Sequence, residues 1–149
     1  MKSRGGTGKC IRIVVVDDYE PWQHFVLTTL RRHRGFQIIG EVLDGLEAVQ
    51  KAGELQPDLI LLDIGLPTLN GIEVARRIRK VSPSSKILFV SADRSVDTVK
   101  AALSTGARGY VVKTDAATEL LFAVKAVLAG KHFVSATLFA CDLVGREAG

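Results

Sequence analysis

Val14-Val15-Val16-Asp17-Asp18 and Leu59-Ile60-Leu61-Leu62-Asp63 are two apolar runs that each stop on aspartate, and their reading decides the fold. Two later runs stop on polar residues as well: Ile87-Leu88-Phe89-Val90 ends at Ser91, and Tyr110-Val111-Val112 ends at Lys113. Groups fit to handle a phosphate and a metal therefore punctuate four strands.

Working outward, each apolar run alternates with an amphipathic stretch. Residues 11–16 read as a strand, and Pro21 sits where a helix starts, with Trp22, Val26 and Leu30 on one face at helical spacing. The pattern continues with a strand at 36–42, a helix at 45–54, a strand at 58–62 and a helix at 71–81 carrying Val74, Ile78 and Val81. Asp44 with Glu47 and Asn70 with Glu73 have capping-box spacing. A strand at 86–90, a helix at 94–105, a strand at 108–112 and a helix at 116–129 complete the series, with Gly106 and Gly130 at the helix ends.

Five apolar strands alternating with five amphipathic helices predict an α/β protein with a doubly wound, five-stranded parallel sheet, because right-handed crossovers must bury helical stripes on both sheet faces. In such sheets the ligand site lies beyond the carboxyl ends of the strands, where strand order reverses. With the flavodoxin-like order 2-1-3-4-5, strands 1 and 3 are neighbours across that point, so Asp17, Asp18 and Asp63 converge.

At 149 residues, 47% apolar and 24% charged, the chain has the size and balance of one globular domain. No apolar run reaches the ~20 residues needed to cross a bilayer, and Met1 to Lys9 lacks a signal peptide's apolar core, so no membrane association and a cytoplasmic setting are expected. Cys10 and Cys141 form no Cys-x-x-Cys pair, and His24, His33 and His132 share no metal spacing. The net charge of +4 sits largely in Arg31-Arg32-His33-Arg34 and Arg76-Arg77-Ile78-Arg79-Lys80, at predicted helix ends where cations offset the dipole. DNA binding by this segment is not expected, since no basic recognition helix is visible. Gly5-Gly6-Thr7-Gly8-Lys9 has serine at position 3 where a phosphate loop's first glycine should fall, and it precedes a strand rather than following one. It reads as part of a flexible basic arm over residues 1–9.

Three carboxylates within ~5 Å would repel by roughly 3 kcal/mol per pair at an effective dielectric near 20, a large penalty against marginal domain stability. Something positive must sit among them. A hard divalent ion is the simplest candidate, and Mg²⁺ suits one or two carboxylates plus a phosphoryl group. Lys113 adds charge from the last strand. A carboxylate can accept a phosphoryl group as nucleophile, which assigns Asp63 as acceptor, Lys113 as charge neutraliser and the Ser91 hydroxyl as donor to a phosphoryl oxygen.

The acidic pair Asp17-Asp18, Asp63 followed by Ile64-Gly65-Leu66-Pro67, Ser91-Ala92, and Gly109-Tyr110-Val111-Val112-Lys113 together resemble the response-regulator receiver domain of two-component signalling. The resemblance spans residues 10–130, and 131–149 read as a C-terminal linker or extension. It implies an aspartyl-phosphate switch charged by a sensor histidine kinase or phosphotransfer protein, with Mg²⁺ as cofactor. Asp18, Asp63 and the Gly65 backbone carbonyl would be metal ligands, and Asp17 would hold metal-bound water. Tyr110 matches the family's aromatic switch, whose ring turns inward when Ser91 is drawn to the phosphoryl group, remodelling the helix 4, strand 5 and helix 5 surface. Conventional turnover is not implied, and a homodimer is left open.

Thr114 stands where the family often has proline, so no cis peptide is expected at that bond, and Gly65 lacks a side chain where many relatives carry one. Thr114-Asp115 and Gly130 to Ser135 resemble the NarL/FixJ subgroup, in which a linker leads to a LuxR-type helix-turn-helix domain. Leu143, Arg146 and Glu147 are similar to the Leu-x-x-Arg-Glu opening of such a domain. The chain is expected to be a stand-alone receiver in preference to one cut from a longer regulator. Two rival functions are a receiver that docks or dimerises without phosphate, and a haloacid-dehalogenase-like phosphatase. The latter places its nucleophile after the first strand with a second aspartate two residues on, whereas Asp17-Asp18 comes first here and Glu20 fills an offset position.

Overall fold

The computed structural model describes residues 10–139. The readings placed on residues 1–9, Cys141 and Leu143 to Glu147 lie outside them. Strands β1 (Ile11–Val16), β2 (Phe36–Val42), β3 (Leu59–Leu62), β4 (Lys86–Ser91) and β5 (Gly109–Val112) alternate with helices α1 (Glu20–Arg31), α2 (Gly45–Leu55), α3 (Gly71–Val81), α4 (Val96–Leu103) and α5 (Ala116–Leu128). A short strand β6 (Phe133–Val134) and a single helical turn α6 (Ala136–Phe139) follow.

All strand pairs are parallel, in the order β2-β1-β3-β4-β5-β6. The first five follow the expected order, but among the described residues the expected five strands are six. The sixth was hidden from periodicity because two residues carry no alternation; it forms because Gly130, at φ +86, turns the chain back along β5.

Period-2 alternation along each strand builds two cores. Val14, Val16, Ile60, Leu62, Ile87, Phe89, Tyr110 and Val112 face the helices α2, α3 and α4 through Ala48, Val74, Ile78 and Val99. Ile13, Val15, Leu59, Leu61, Leu88, Val90 and Val111 face α1 and α5 through Leu30, Leu120 and Val124. The sheet is therefore covered on both sides, as its near-continuous apolar strands require.

Helix starts follow the caps. Asp44 accepts from the Glu47 N–H at 3.0 Å, and Asn70 accepts from the Ile72 and Glu73 N–H groups at 3.0 and 3.1 Å. Helix α4 is shorter than the expected 94–105, because Ser95 caps it through the Thr98 N–H at 3.3 Å while Asp93 ties back the residues before it. No cis peptide bond occurs among the described residues.

Gly71 opens α3 directly beneath the end of β3, where a Cβ would overlap the Asp63 carbonyl oxygen. Gly71→Ala is expected to destabilise the protein by about 1–3 kcal/mol, through a backbone shift under Asp63. Urea unfolding would read this as a lower midpoint at unchanged slope, and an unchanged midpoint would count against the close approach.

Candidate functional site

The site forms where four strands end side by side. Val16 and Leu62 are partners in the β1–β3 register, and the Asp63 N–H donates to the Val16 carbonyl at 3.1 Å, so the residues that follow each strand emerge together. On the other flank, Leu62 pairs with Phe89, and Ser91 pairs with Val112. Register thus sets Asp17, Asp63, Ser91 and Lys113 along one rim, at the switch point between β1 and β3.

Asp17 and Asp63 are buried, at 2% and 8% exposure, while Asp18 is exposed. The Lys113 ammonium lies 2.7 Å from Asp17 Oδ2 and 3.5 Å from Asp63 Oδ2. The remaining oxygens are also engaged: Asp17 Oδ1 accepts from the Tyr19 N–H at 2.9 Å and Asp63 Oδ1 from the Ile64 N–H at 2.8 Å. Burial pushes the Asp63 carboxyl above its ordinary range, the Asp17 charge raises it further, and Lys113 with the Ile64 N–H pulls it back only in part. One ammonium does not satisfy two buried carboxylates.

Oxygens of Asp17, Asp18 and Asp63 lie within 4.8 Å of one another. An all-oxygen donor set with an under-compensated negative charge fits a hard divalent cation. An open cleft of about 370 Å³ beside β2 is lined by Glu20, Gln23, His24, Leu27, Glu41 and Leu43, whereas a cleft of about 270 Å³ opens at the site itself. The latter is bordered by Asp63, Ile64, Gly65, Ser91, Ala92, Asp93 and Lys113. Gly65 is exposed, and a Cβ there would meet nothing within 4 Å, so access to Asp63 is open on that side.

Tyr110 is fully buried, and its hydroxyl donates to the Asp93 carbonyl at 2.6 Å. Burial pushes that phenol up to about 12. The Asp93 N–H donates in turn to Ser91 Oγ at 3.1 Å, so Ser91, Asp93 and Tyr110 form one hydrogen-bonded chain with the ring already inward. Asp93 also accepts from the Ser95 N–H at 2.9 Å and from Thr98 Oγ1 at 2.9 Å, which links the chain to the start of α4.

The geometry brings together Asp17, Asp18, Asp63, Gly65, Ser91 and Lys113, with Tyr110 two hydrogen bonds behind Ser91 through Asp93. Sequence reasoning missed Asp93, for which the Asp-x-Ser-x-x-Thr spacing over 93–98 was an available signal. It also missed Gln23, whose amide donates to the Val42 and Val15 carbonyls at 3.0 and 3.3 Å and ties the ends of β1 and β2. No spacing rule would have found that residue.

Residues 13–125 match the response regulator receiver domain family. The chain belongs to that family. The receiver is 31% identical over 125 residues to the response regulator GacA of Pseudomonas viridiflava, covering 84% of this chain and 58% of that relative. It is 35% identical over 102 residues to the chemotaxis protein CheY of Thermotoga maritima, covering 68% of this chain and 84% of that one. A crystal structure of a two-component response regulator of the LuxR family from an Aurantimonas species superposes with a TM-score of 0.88 at 29% identity, covering 95% of this chain and 100% of that one. The receiver spans about three fifths of the length of curated relatives such as GacA and BvgA of Bordetella pertussis. Membership in this family sets aside the phosphatase alternative, in agreement with the motif order. No helix among the described residues is long and apolar enough to cross a membrane.

Trp22 packs against Phe25 at 5.0 Å between ring centroids, and the Lys113 ammonium stands 5.2 Å from its ring. It is the single tryptophan of the chain. Titration with Mg²⁺ is therefore expected to change Trp22 emission saturably as the cation redistributes charge around Lys113, and a flat titration would argue against cation binding at the acidic cluster.

Proposed function

We propose that the receiver is a phosphorylation-dependent signalling switch in which Asp63 accepts a phosphoryl group from a sensor histidine kinase or phosphotransfer protein. The observation that carries this reading is the meeting of two buried carboxylates, Asp17 and Asp63, on the single Lys113 ammonium at the rim of an open cleft. In this reading residues 10–130 are the switch, residues 131–149 are its linker or extension, and the setting is the cytoplasm.

Asp63 attacks phosphorus through a carboxylate oxygen, forming an acyl phosphate as the donor's P–N bond breaks and the leaving imidazole nitrogen takes a proton. Asp18, Asp63 and the Gly65 carbonyl would hold Mg²⁺, with Asp17 holding its water. Bound there, the ion supplies charge neutralisation for the phosphoryl oxygens. Lys113 follows the added charge, leaving Asp17 for a phosphoryl oxygen. Ser91 donates its hydroxyl to another, which is an electrostatic and positioning role.

An acyl phosphate carries about −1.5 to −2 charges where the carboxylate carried one, and shifting a population from 1:99 to 99:1 takes about 5.5 kcal/mol of differential interaction. The charge-assisted Lys113 contact and the Ser91 hydrogen bond are the sources at hand. Because Tyr110 already lies inward, Ser91 leaving the Asp93 N–H is the event that would propagate, through Asp93, to the Tyr110 hydroxyl and the start of α4. Incubation with acetyl phosphate and Mg²⁺ should give one base- and hydroxylamine-labile phosphoryl adduct per chain by mass spectrometry. A protein that stays unlabelled yet still self-associates would favour docking without phosphate.

A further inference from the structure

The segment after α5 packs against the chain on either side of Lys113. Phe133 and Val134 pair with Gly109 and Tyr110, and the Ser135 N–H donates to the Tyr110 carbonyl at 3.0 Å. Ser135 is fully buried, and its hydroxyl oxygen accepts from the Val112 N–H at 2.8 Å while donating to Glu119 Oε1 at 2.7 Å. The second oxygen of Glu119, on α5, accepts from the Ala136 N–H at 3.0 Å. Thr137 Oγ1 donates to Asp115 Oδ2 at 2.6 Å, and Leu138 is buried in the same apolar cluster as Tyr110 and Val112.

These contacts bracket Lys113. Val112 immediately precedes it, and Asp115 closes the 3-10 turn that Lys113 opens. Ser135 therefore holds the chain on one side of the lysine and Thr137 on the other. Simple closure of a sheet edge accounts for the β5–β6 ladder, which ends at Tyr110 and Val134. It does not account for a side chain, itself fixed by a carboxylate from α5, meeting the last amide before the functional lysine.

We infer that Ser135 and Glu119 are positioning residues for Lys113, and that the docked segment 133–138 sets how the ammonium is aimed at Asp63. Its consequence for rate rests on Asp63 being the phosphoacceptor; the positioning itself does not. Since coupling between two sites is reciprocal, a change of charge at Asp63 alters the grip on this segment in the same measure, which makes it a route from the acceptor to the C-terminal side of the chain.

The test uses the full chain with Ser135→Ala and Glu119→Gln. Each variant should be labelled by acetyl phosphate and Mg²⁺ about tenfold more slowly, the worth of roughly one hydrogen bond expressed at the barrier. Apparent Mg²⁺ affinity should shift as well, because the ammonium that moves lies against Asp17 and Asp63 of the acidic cluster. Trp22 emission should shift in both variants before any phosphate is added, because the ammonium beside its ring moves. A purely structural role would lower the thermal midpoint and leave labelling rate and emission as in the parent; that result overturns the inference. Should Ser135→Ala fail to fold by circular dichroism, Glu119→Gln decides alone by the same readouts. A parent that takes no label removes the phosphoacceptor reading, and the emission shift still decides the positioning.

Discussion

Asp63→Asn is expected to reduce covalent phosphoryl incorporation from acetyl phosphate to background. The amide is nearly isosteric with the carboxylate, so the Ile64 N–H can still donate to its oxygen, and the cleft keeps its shape. What is lost is the anionic nucleophile. Incorporation equal to the parent would mean that another carboxylate is the acceptor, and peptide mapping of the adduct would locate it.

The same substitution makes an opposite prediction for stability. Burial and the neighbouring Asp17 charge hold the Asp63 carboxyl above its ordinary value of 3.8, so the folded state binds this proton more tightly than the unfolded chain does. The slope of stability against pH follows protons bound unfolded minus folded, which is negative here. The favourable contribution is fully present below 3.8 and is lost as pH rises through the raised folded value. Without divalent cation, Asp63→Asn should therefore melt higher than the parent at neutral pH, with the difference closing towards acid. Added Mg²⁺ should narrow the gap by stabilising the parent alone. A variant that melts lower than the parent at neutral pH would show that the Lys113–Asp63 contact outweighs the repulsion.

Lys113→Met carries the other large expectation. Methionine keeps much of the stem's volume and removes the only cation among the described residues that pairs with Asp17 and Asp63. Leaving buried carboxylates without their partner costs about 3–5 kcal/mol. Loss of a group aimed at the transferring phosphoryl oxygens should also slow labelling by about 10²–10³-fold. Thermal melts with and without Mg²⁺ check the first part, where the cation should rescue the variant more than it stabilises the parent. Single-turnover labelling checks the second. A variant as stable and as readily labelled as the parent would remove Lys113 from the site.

The site was legible in the chain to the extent that it sits where strand periodicity stops. Asp17, Asp63, Ser91 and Lys113 follow or close apolar runs, and parallel strands point their carboxyl ends in one direction, so linear pattern alone aligns them. The helices were legible for the same reason, and Asp44 and Asn70 announced two starts. The start of α4 was misread because its cap sits in the Asp93 loop, which is tied to Thr98 on one side and to the Tyr110 hydroxyl from a distant strand on the other. Gln23 was invisible because its partners are carbonyls on two strands far apart in sequence.

From its residues alone, then, the chain determines alternating strands and helices, a parallel sheet, and the kinds of groups at its carboxyl edge, because these follow from local period and from which side chains interrupt it. Tertiary structure decided that one ammonium is shared between two buried carboxylates, that Tyr110 lies inward, and that a sixth strand with Ser135 and Glu119 braces the turn carrying Lys113. Those features depend on strand register and on distances across 16 to 96 positions of chain, which no local pattern encodes.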